Sequence, residues 1–338
     1  MSLTVLRPGM LTTVQDLGRY GYQKYGVVAG GALDTGAARV ANLLVGNDDR
    51  EAVLEITLGG ASFAIDRPMI IAVSGGDLSA TLDGSPLPLW RPVYAKAGSV
   101  LSFGACASGC RTYLAAGGGF DVPEVMGSRS TYLRGAVGGF AGRALKADDE
   151  LGVRPPNGRT MRLASLIASA VREDGLAAAS WHASHFAVAG SAEEQVVRAV
   201  PGTHYDRFTL ESREALFGQS YRIGAQSDRM GCRLEGETKL LLSLPLELLS
   251  EAVALGTVQA PPDGDPIVLL ADRQTTGGYP RIAQVASVDI AVLAQLKPGS
   301  RFRFEAIAQT EAERLYVAGE RDLRLLRAAV SLKLRPLA

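Results

Sequence analysis

Short apolar stretches rich in Val, Ile, Leu and Phe recur along the chain between Gly, Pro, Asp and Ser. That pattern predicts β-strands closed by tight turns. Strands are expected at 62–65, 70–73, 78–82, 100–103, 112–115, 267–270 and 301–306. Thr81 to Pro86 reads as a hairpin, with Asp83-Gly84 as the favoured turn pair. Helical periodicity is rarer. Asp34 can cap a helix through Val40, Leu43 and Leu44 that stops at Gly46. Val288, Val292, Leu293 and Leu296 repeat at helical spacing before Pro298-Gly299. An amphipathic pattern runs over 311–330, with Gly319 expected to interrupt it. The chain is therefore expected to be mainly β with a few helices.

The pattern also repeats. Glu51-Ala52-Val53 recurs as Glu251-Ala252-Val253, and the apolar run 68–73 as 266–271. Lys96 to Ser99 with Phe103 matches Lys297 to Ser300 with Phe304, and Arg7-Pro8-Gly9 lines up with Val200-Pro201-Gly202. These collinear matches predict two related β-barrels packed around a cleft, where binding sites are favoured. The halves are expected at 1–150 and 185–338, with strand exchange between them allowed. Residues 151–184, containing Pro155-Pro156-Asn157-Gly158 and an alanine-rich run at 163–180, read as a linker.

Composition narrows the function. A length of 338 residues suits two domains. With 35 basic and 35 acidic side chains the net charge is zero, which argues against a nucleic-acid partner. No apolar run reaches the roughly 18 residues of a membrane span, and MSLTVLRPG is no signal peptide. Cys106, Cys110 and Cys232 form no disulfide framework. A cytoplasmic protein is expected. The 39 glycines exceed the average of about 7%, and without proline richness they imply many tight turns.

Four stretches can carry chemistry. In Asp272-Arg273-Gln274-Thr275-Thr276-Gly277-Gly278-Tyr279-Pro280, a buried strand runs into hydrogen-bonding and backbone-permissive residues. Arg273 can hold a carboxylate or phosphate by two parallel bonds. The Gln274 amide offers the donor and acceptor that a lactam or ureido ring presents back. The same residues also suit an Asp272–Arg273 ion pair followed by a plain turn. Gln15-Asp16-Leu17-Gly18-Arg19 with Tyr20-Gly21-Tyr22 can bind a ligand or form a capping turn with a surface arginine. Ser227-Asp228-Arg229-Met230-Gly231-Cys232-Arg233 can hold an acidic ligand or a structural ion pair. Gly117-Gly118-Gly119, followed by Gly127-Ser128-Arg129-Ser130-Thr131-Tyr132, can line a phosphate but lacks the lysine of a P-loop. His182 and His185 have no third ligand nearby, so no metal site is expected. His204 is the remaining histidine, and Gly-x-Ser-x-Gly is absent. Carboxylates, amides and arginines are left to do the chemistry.

These stretches resemble the family of the 5-oxoprolinase C subunit, also described as biotin-dependent carboxyltransferase, allophanate hydrolase subunit 2 or KipA-like proteins. The resemblance rests on Thr13 to Arg19, Gly31-Ala32-Leu33-Asp34, Ala41-Asn42, Val45-Gly46-Asn47, Leu54-Glu55, Gly127 to Tyr132, Ser227 to Gly231 and Ala271 to Pro280. Gly30 and Cys232 depart from it, standing where the family usually has serine and an aromatic.

The resemblance implies two cyclophilin-like β-barrels. It also implies a hetero-oligomer with two further 5-oxoprolinase subunits, one KipI-like (the B subunit) and one of the LamB/YcsF type (the A subunit). Together they would open 5-oxoproline to glutamate with ATP hydrolysis. ATP would be bound here or by a partner. Asp272, Arg273 and Gln274 would be catalytic, with Asp272 as base or orienter. Gln15, Asp16, Arg19, Asp34, Asp228, Arg229, Thr275, Thr276, Gly277, Gly278 and Tyr279 would bind substrate. One alternative is carboxyl transfer from biotin to urea or a related amide. Biotin would then arrive on another chain, since none of the 6 methionines precedes a lysine. Another is a KipA-like regulator that binds a kinase-inhibitor subunit.

Overall fold

In the computed structural model, residues 1–168, 177–186 and 194–334 are described. The chain is mainly β with five α-helices among them: α1 (Thr35–Leu44), α2 (Gly158–Ala168), α3 (Leu210–Gly218), α4 (Ile290–Gln295) and α5 (Gln309–Lys333). It divides into two units. The first comprises Met1–Arg19, Gly30–Gly190 and Asp322–Ala338, and the second Tyr20–Ala29 and Ser191–Arg321.

The first unit wraps two six-stranded sheets around one core. One sheet runs Glu150–Gly152, Ser2–Pro8, Ala61–Ile65, Val100–Ser102, Thr81–Leu82, Ser85–Pro86. The other runs Ala177–Ala178, Pro92–Ala95, Met69–Asp77, Ser108–Ala116, Val53–Thr57, Leu11–Gln15. The unbroken apolar run near residue 70 serves two cores at once. Met69, Ile71 and Val73 face the inter-sheet core with Leu3, Phe63 and Leu101. Ile70 and Ala72 face the other way, into a cluster with Val40 and Leu44 of α1 and Leu163 and Ile167 of α2. Side-chain alternation along a strand produces this split, and a strand buried on both faces needs no polar positions.

Several local expectations hold. Asp34 caps α1, its carboxylate accepting from the Ala37 amide at 2.9 Å. Thr81–Leu82 and Ser85–Pro86 form the hairpin, with Asp83 and Gly84 at positive φ. Asp34→Ala is expected to cost about 1 kcal/mol. The test is a lower urea midpoint at unchanged slope.

The second unit is a closed barrel in the order Glu194–Pro201, Arg281–Val285, Thr257–Gln259, Ile267–Leu269, Gly231–Glu235, Ser220–Ile223, Arg301–Ala306. A parallel pairing of Glu194–Ala199 with Arg301–Ala306 closes it. Period-two patterning fills the barrel: Phe302 and Phe304 are fully buried and pack edge to face at 5.0 Å, while Arg301 and Arg303 are exposed. Segments matched between the halves form strands in both units but have different neighbours. Ser2–Pro8 lies beside Ala61–Ile65, whereas Glu194–Pro201 lies beside Arg301–Ala306.

Three features differ from the sequence expectation. Residues 151–184, where described, are built into the first unit and do not form a free linker. Leu151 pairs with Leu3, Ala177 and Ala178 pair with Tyr94 and Val93, and Thr160, Leu163 and Ile167 are buried. The i, i+4 pair Leu163/Ile167 makes an apolar stripe that must be covered; the rest of the alanine-rich run, 169–176, lies outside the described residues. Second, a simple cut near 150 and 185 misses two exchanged pieces, Tyr20–Ala29 and the end of α5. These are a loop and a helix end, not strands. Third, α5 continues through Gly319. A single glycine costs a helix about 1 kcal/mol, which 25 residues of helix absorb. No helix among the described residues is long and apolar enough to cross a membrane.

Candidate functional site

The Ala271–Pro280 motif grows out of the barrel wall. Beyond Leu269 the chain turns but stays bonded to its neighbour with a one-residue shift, Leu270 N–H donating to Met230 O and Asp272 N–H to Arg229 O, both at 2.9 Å. This pairing brings the Arg229 and Asp272 side chains together. Nε and Nη2 of Arg229 each donate to one Asp272 oxygen at 3.0 Å, with both side chains 6% exposed. The ion pair is therefore Asp272–Arg229 and not Asp272–Arg273, and Arg229 is neutralised by it. An acidic ligand at Arg229 would have to compete with a bidentate carboxylate already in place.

Arg273 is thereby left for other work. It is half-buried, and its Nε and Nη1 reach only the carbonyls of Val253 and Leu270, each at 3.3 Å. Among the described residues no carboxylate pairs with it. Burial pushes its guanidinium below the usual arginine range, opposed by the nearby Tyr20 phenol. It stays charged, because arginine cannot lose its proton in a protein. A desolvated cation with two long neutral contacts can hold a carboxylate or phosphate.

The following residues leave Arg273 along a short two-stranded pairing. Thr276–Gly277 pairs with Glu251–Ala252, and Val253 N–H donates to Thr275 O at 3.1 Å. Gln274, Thr276, Gly278 and Tyr279 are exposed. A Cβ on Gly277 would stand 2.6 Å from Nε2 of the buried Gln259, so a larger residue there would have to push that amide aside. Sequence reasoning missed Gln259, which sits in an ordinary barrel strand; it grouped Tyr20 with the Gln15–Arg19 motif and not with Arg273. Asp228 is exposed and spends its Oδ1 on the amides of Met230 and Gly231, at 2.7 and 3.2 Å. His204 is held by the Arg281 amide, which donates to its Nδ1 at 3.1 Å. Burial and then Arg281 lower its pKa, so the neutral imidazole keeps its proton on Nε2.

The first unit assembles a second polar group around the end of Leu11–Gln15. Asp16 Oδ1 accepts from Ser128 Oγ at 2.7 Å, Ser130 Oγ at 2.5 Å and the Gly18 amide at 2.8 Å. Its Oδ2 accepts from the Arg129 amide at 2.5 Å. Arg19 is 1% exposed and so no surface arginine; it donates to Val125 O and Ser130 O, both at 2.9 Å. These two residues tie down the 125–131 loop and hold it in shape. Gln15 is fully buried, its Nε2 donating to Thr13 Oγ1 at 3.0 Å and Thr131 O at 3.2 Å. Its Oε1 has no partner among the described residues, a buried acceptor left over. Asp34 belongs to the α1 cap. The Gly117–Gly119 run is no phosphate cradle: Gly118 N–H donates to Asn47 Oδ1 and Gly119 N–H to Ala116 O, each at 2.9 Å.

The family model for the carboxyltransferase domain, subdomain A and B, matches residues 25–306. The chain belongs to the carboxyltransferase-domain family. Among its relatives, the C subunit of Escherichia coli 5-oxoprolinase is 39% identical over 310 residues, covering 92% of this chain and 93% of that one. The C subunit of Haemophilus influenzae 5-oxoprolinase is 36% identical over 321 residues, covering 95% and 96%. The crystal structure of Kluyveromyces lactis urea amidolyase is similar at a TM-score of 0.85 and 30% identity, across 96% of this chain but 20% of that one. In this carboxyltransferase domain the two departures from the family pattern have addresses. Cys232 is buried in a barrel strand opposite Val268, and Gly30 takes φ of +66°, a conformation a serine would adopt only with strain.

Proposed function

We propose that this carboxyltransferase-family chain is one subunit of an ATP-dependent 5-oxoprolinase, a cytoplasmic lactam hydrolase. It would be active as a complex with the KipI-like B subunit and the LamB/YcsF-type A subunit. The observation that carries the reading is similarity over nearly the full length of both partners in the comparison: the match spans 93–96% of the two 5-oxoprolinase C subunits. In Saccharomyces cerevisiae urea amidolyase it spans 17%.

The chemistry available fits a lactam acid. Arg273 offers two N–H donors to the substrate carboxylate. Exposed Gln274 can accept from the lactam N–H and donate to the lactam oxygen. Asp272 is a positioning residue, since its carboxylate is taken up by Arg229 at the strand end from which Arg273 departs. A lactam resists attack through amide resonance. ATP supplies a phosphoryl group for the lactam oxygen, which removes that resonance. One water would then add at the ring carbon and the C–N bond would open to an amine and an acyl phosphate, which a second water would hydrolyse to glutamate and phosphate. We assign ATP to one of the two partners, because the amides of the Gly117–Gly119 run are spent on the chain itself.

Co-expression with the KipI-like and LamB/YcsF-type homologues from the same genome, followed by a phosphate-release assay, tests the reading. Phosphate and glutamate are expected in equal amounts and only with 5-oxoproline present. A second reading, carboxyl transfer to urea or a related amide, is favoured by the TM-score of 0.85 to Kluyveromyces lactis urea amidolyase. Turnover that needs urea and a biotin-bearing chain instead of 5-oxoproline would replace the first reading with the second.

A further inference from the structure

Arg281 follows directly on the 271–280 motif and opens the barrel strand Arg281–Val285. Its backbone is fixed on both edges. On one it stands opposite Gln259 of the neighbouring strand. On the other its N–H donates to His204 Nδ1 at 3.1 Å, and its carbonyl accepts from the His204 N–H at 3.0 Å. The side chain, 22% exposed, leaves the barrel wall for residues 251 and 252. Nη1 donates to Ala252 O at 3.3 Å, and Nη2 donates to a carboxylate oxygen of Glu251. The guanidinium fork thus grips two consecutive residues.

The gripped strand has little else to hold it. Glu251–Ala252 and Thr276–Gly277 form a two-stranded sheet separate from the barrel. A pairing that short is not stable alone. The chain reaches it through residues 245–250, which lie in neither helix nor strand. Beyond it, Ala254 N–H donates to Thr257 Oγ1 at 3.2 Å, and Gln284 Nε2 donates to Leu255 O at 2.7 Å. Barrel side chains therefore fix this segment at both ends, Arg281 at 251–252 and Thr257 with Gln284 at 254–255.

Arg273 depends on the residue in between. Successive residues of an extended chain turn their backbone groups to opposite edges. Val253 directs its N–H to Thr275 O at 3.1 Å and its carbonyl to Arg273 Nε at 3.3 Å. Ala252 directs its carbonyl the other way, to Arg281. The segment lies between two arginines, one in the barrel wall that fixes it and one at the candidate site that it fixes. A shift of 251–253 carries the Arg273 guanidinium and the Thr275 backbone with it.

We propose that Arg281 is a positioning residue for the Arg273 site: its fork on Glu251 and Ala252 sets the strand whose next carbonyl, that of Val253, orients the Arg273 guanidinium. The substrate through which this is read, 5-oxoproline, rests on the proposed function; the grip itself rests on the bonds above.

The test compares Arg281→Met, Arg273→Ala and the double variant in the complex co-purified with both partner homologues. Arg281→Met is expected to raise KM for 5-oxoproline about fivefold, the scale of one partly exposed ion pair, with kcat changed less than about twofold. Arg281→Lys keeps the charge without the planar fork and should recover only part of that loss. The double variant should have the KM of Arg273→Ala, because a residue that acts through Arg273 has nothing left to act on. On the chain alone, hydrogen exchange of the Val253 amide should quicken about fivefold in Arg281→Met, while amides of the barrel strands keep their rates. Arg281→Lys and Glu251→Gln carry the same comparison should Arg281→Met fold poorly. An unchanged KM with a lowered thermal midpoint overturns the proposal, making Arg281 merely structural. A double variant whose KM is the product of the two single effects also overturns it, as does unaltered exchange at Val253. A wild-type complex that does not turn over 5-oxoproline defeats the proposed function instead, and the Val253 exchange then decides the role of Arg281 by itself.

Discussion

Asp272→Ala is expected to destabilise the second unit by about 3–5 kcal/mol, because it strands the buried Arg229 guanidinium without its counter-charge. Arg229→Met should cost a similar amount by orphaning the carboxylate. The double replacement Arg229→Met with Asp272→Leu should recover most of the loss, since an apolar pair of similar volume carries no desolvation penalty. Urea unfolding followed by circular dichroism gives the three values, and single-variant losses below about 1 kcal/mol would refute a buried, mutually dependent pair. The same cycle separates base from positioning residue. If Asp272 serves only to hold the strand end beneath Arg273, the refolded double variant keeps measurable 5-oxoproline turnover in the assembled enzyme. If Asp272 accepts a proton, turnover is lost in that variant too.

The expectation drawn from Asp272-Arg273 as neighbours shows where sequence reading stops. Asp272 and Arg273 lie in the turn just past Ile267–Leu269, and the partner of Asp272 comes from the loop just ahead of Gly231–Glu235, 43 residues earlier in the chain. Asp16 likewise draws its hydroxyl donors from 112 and 114 residues away. The apolar runs, the Asp34 cap and the 81–86 hairpin were readable because each depends on residues close in sequence. Burial on two faces was readable as an unbroken run at 69–73, but not which core each side chain joins. Arg19 carries no local mark that it is buried, and Leu163 with Ile167 was hidden among alanines. What each side chain does depended on tertiary pairing: Asp16, Arg19 and Asp272 hold the chain, and Arg273 and Gln274 are the ones left open to a ligand.

That division predicts opposite behaviour for two adjacent residues. Where Asp272→Ala is costly to the fold, Arg273→Ala should change stability by less than about 1 kcal/mol, since it gives up two long contacts to carbonyls and removes a partly desolvated charge. Its cost should appear in the assembled 5-oxoprolinase, as a loss of about 100- to 1000-fold in kcat/KM for 5-oxoproline. A carboxylate far from the reacting carbon is held equally in ground and transition states, so most of the loss should lie in KM. Arg273→Lys keeps the charge without the planar fork and should recover only part of the binding. Gln274→Ala should act differently: in the proposed reaction its amide would face the lactam itself, so kcat should fall with little change in KM. Steady-state kinetics on the co-purified complexes decide the matter. An unchanged KM in Arg273→Ala would remove the carboxylate from this site, and full turnover in both variants would remove the site from the 272–280 motif.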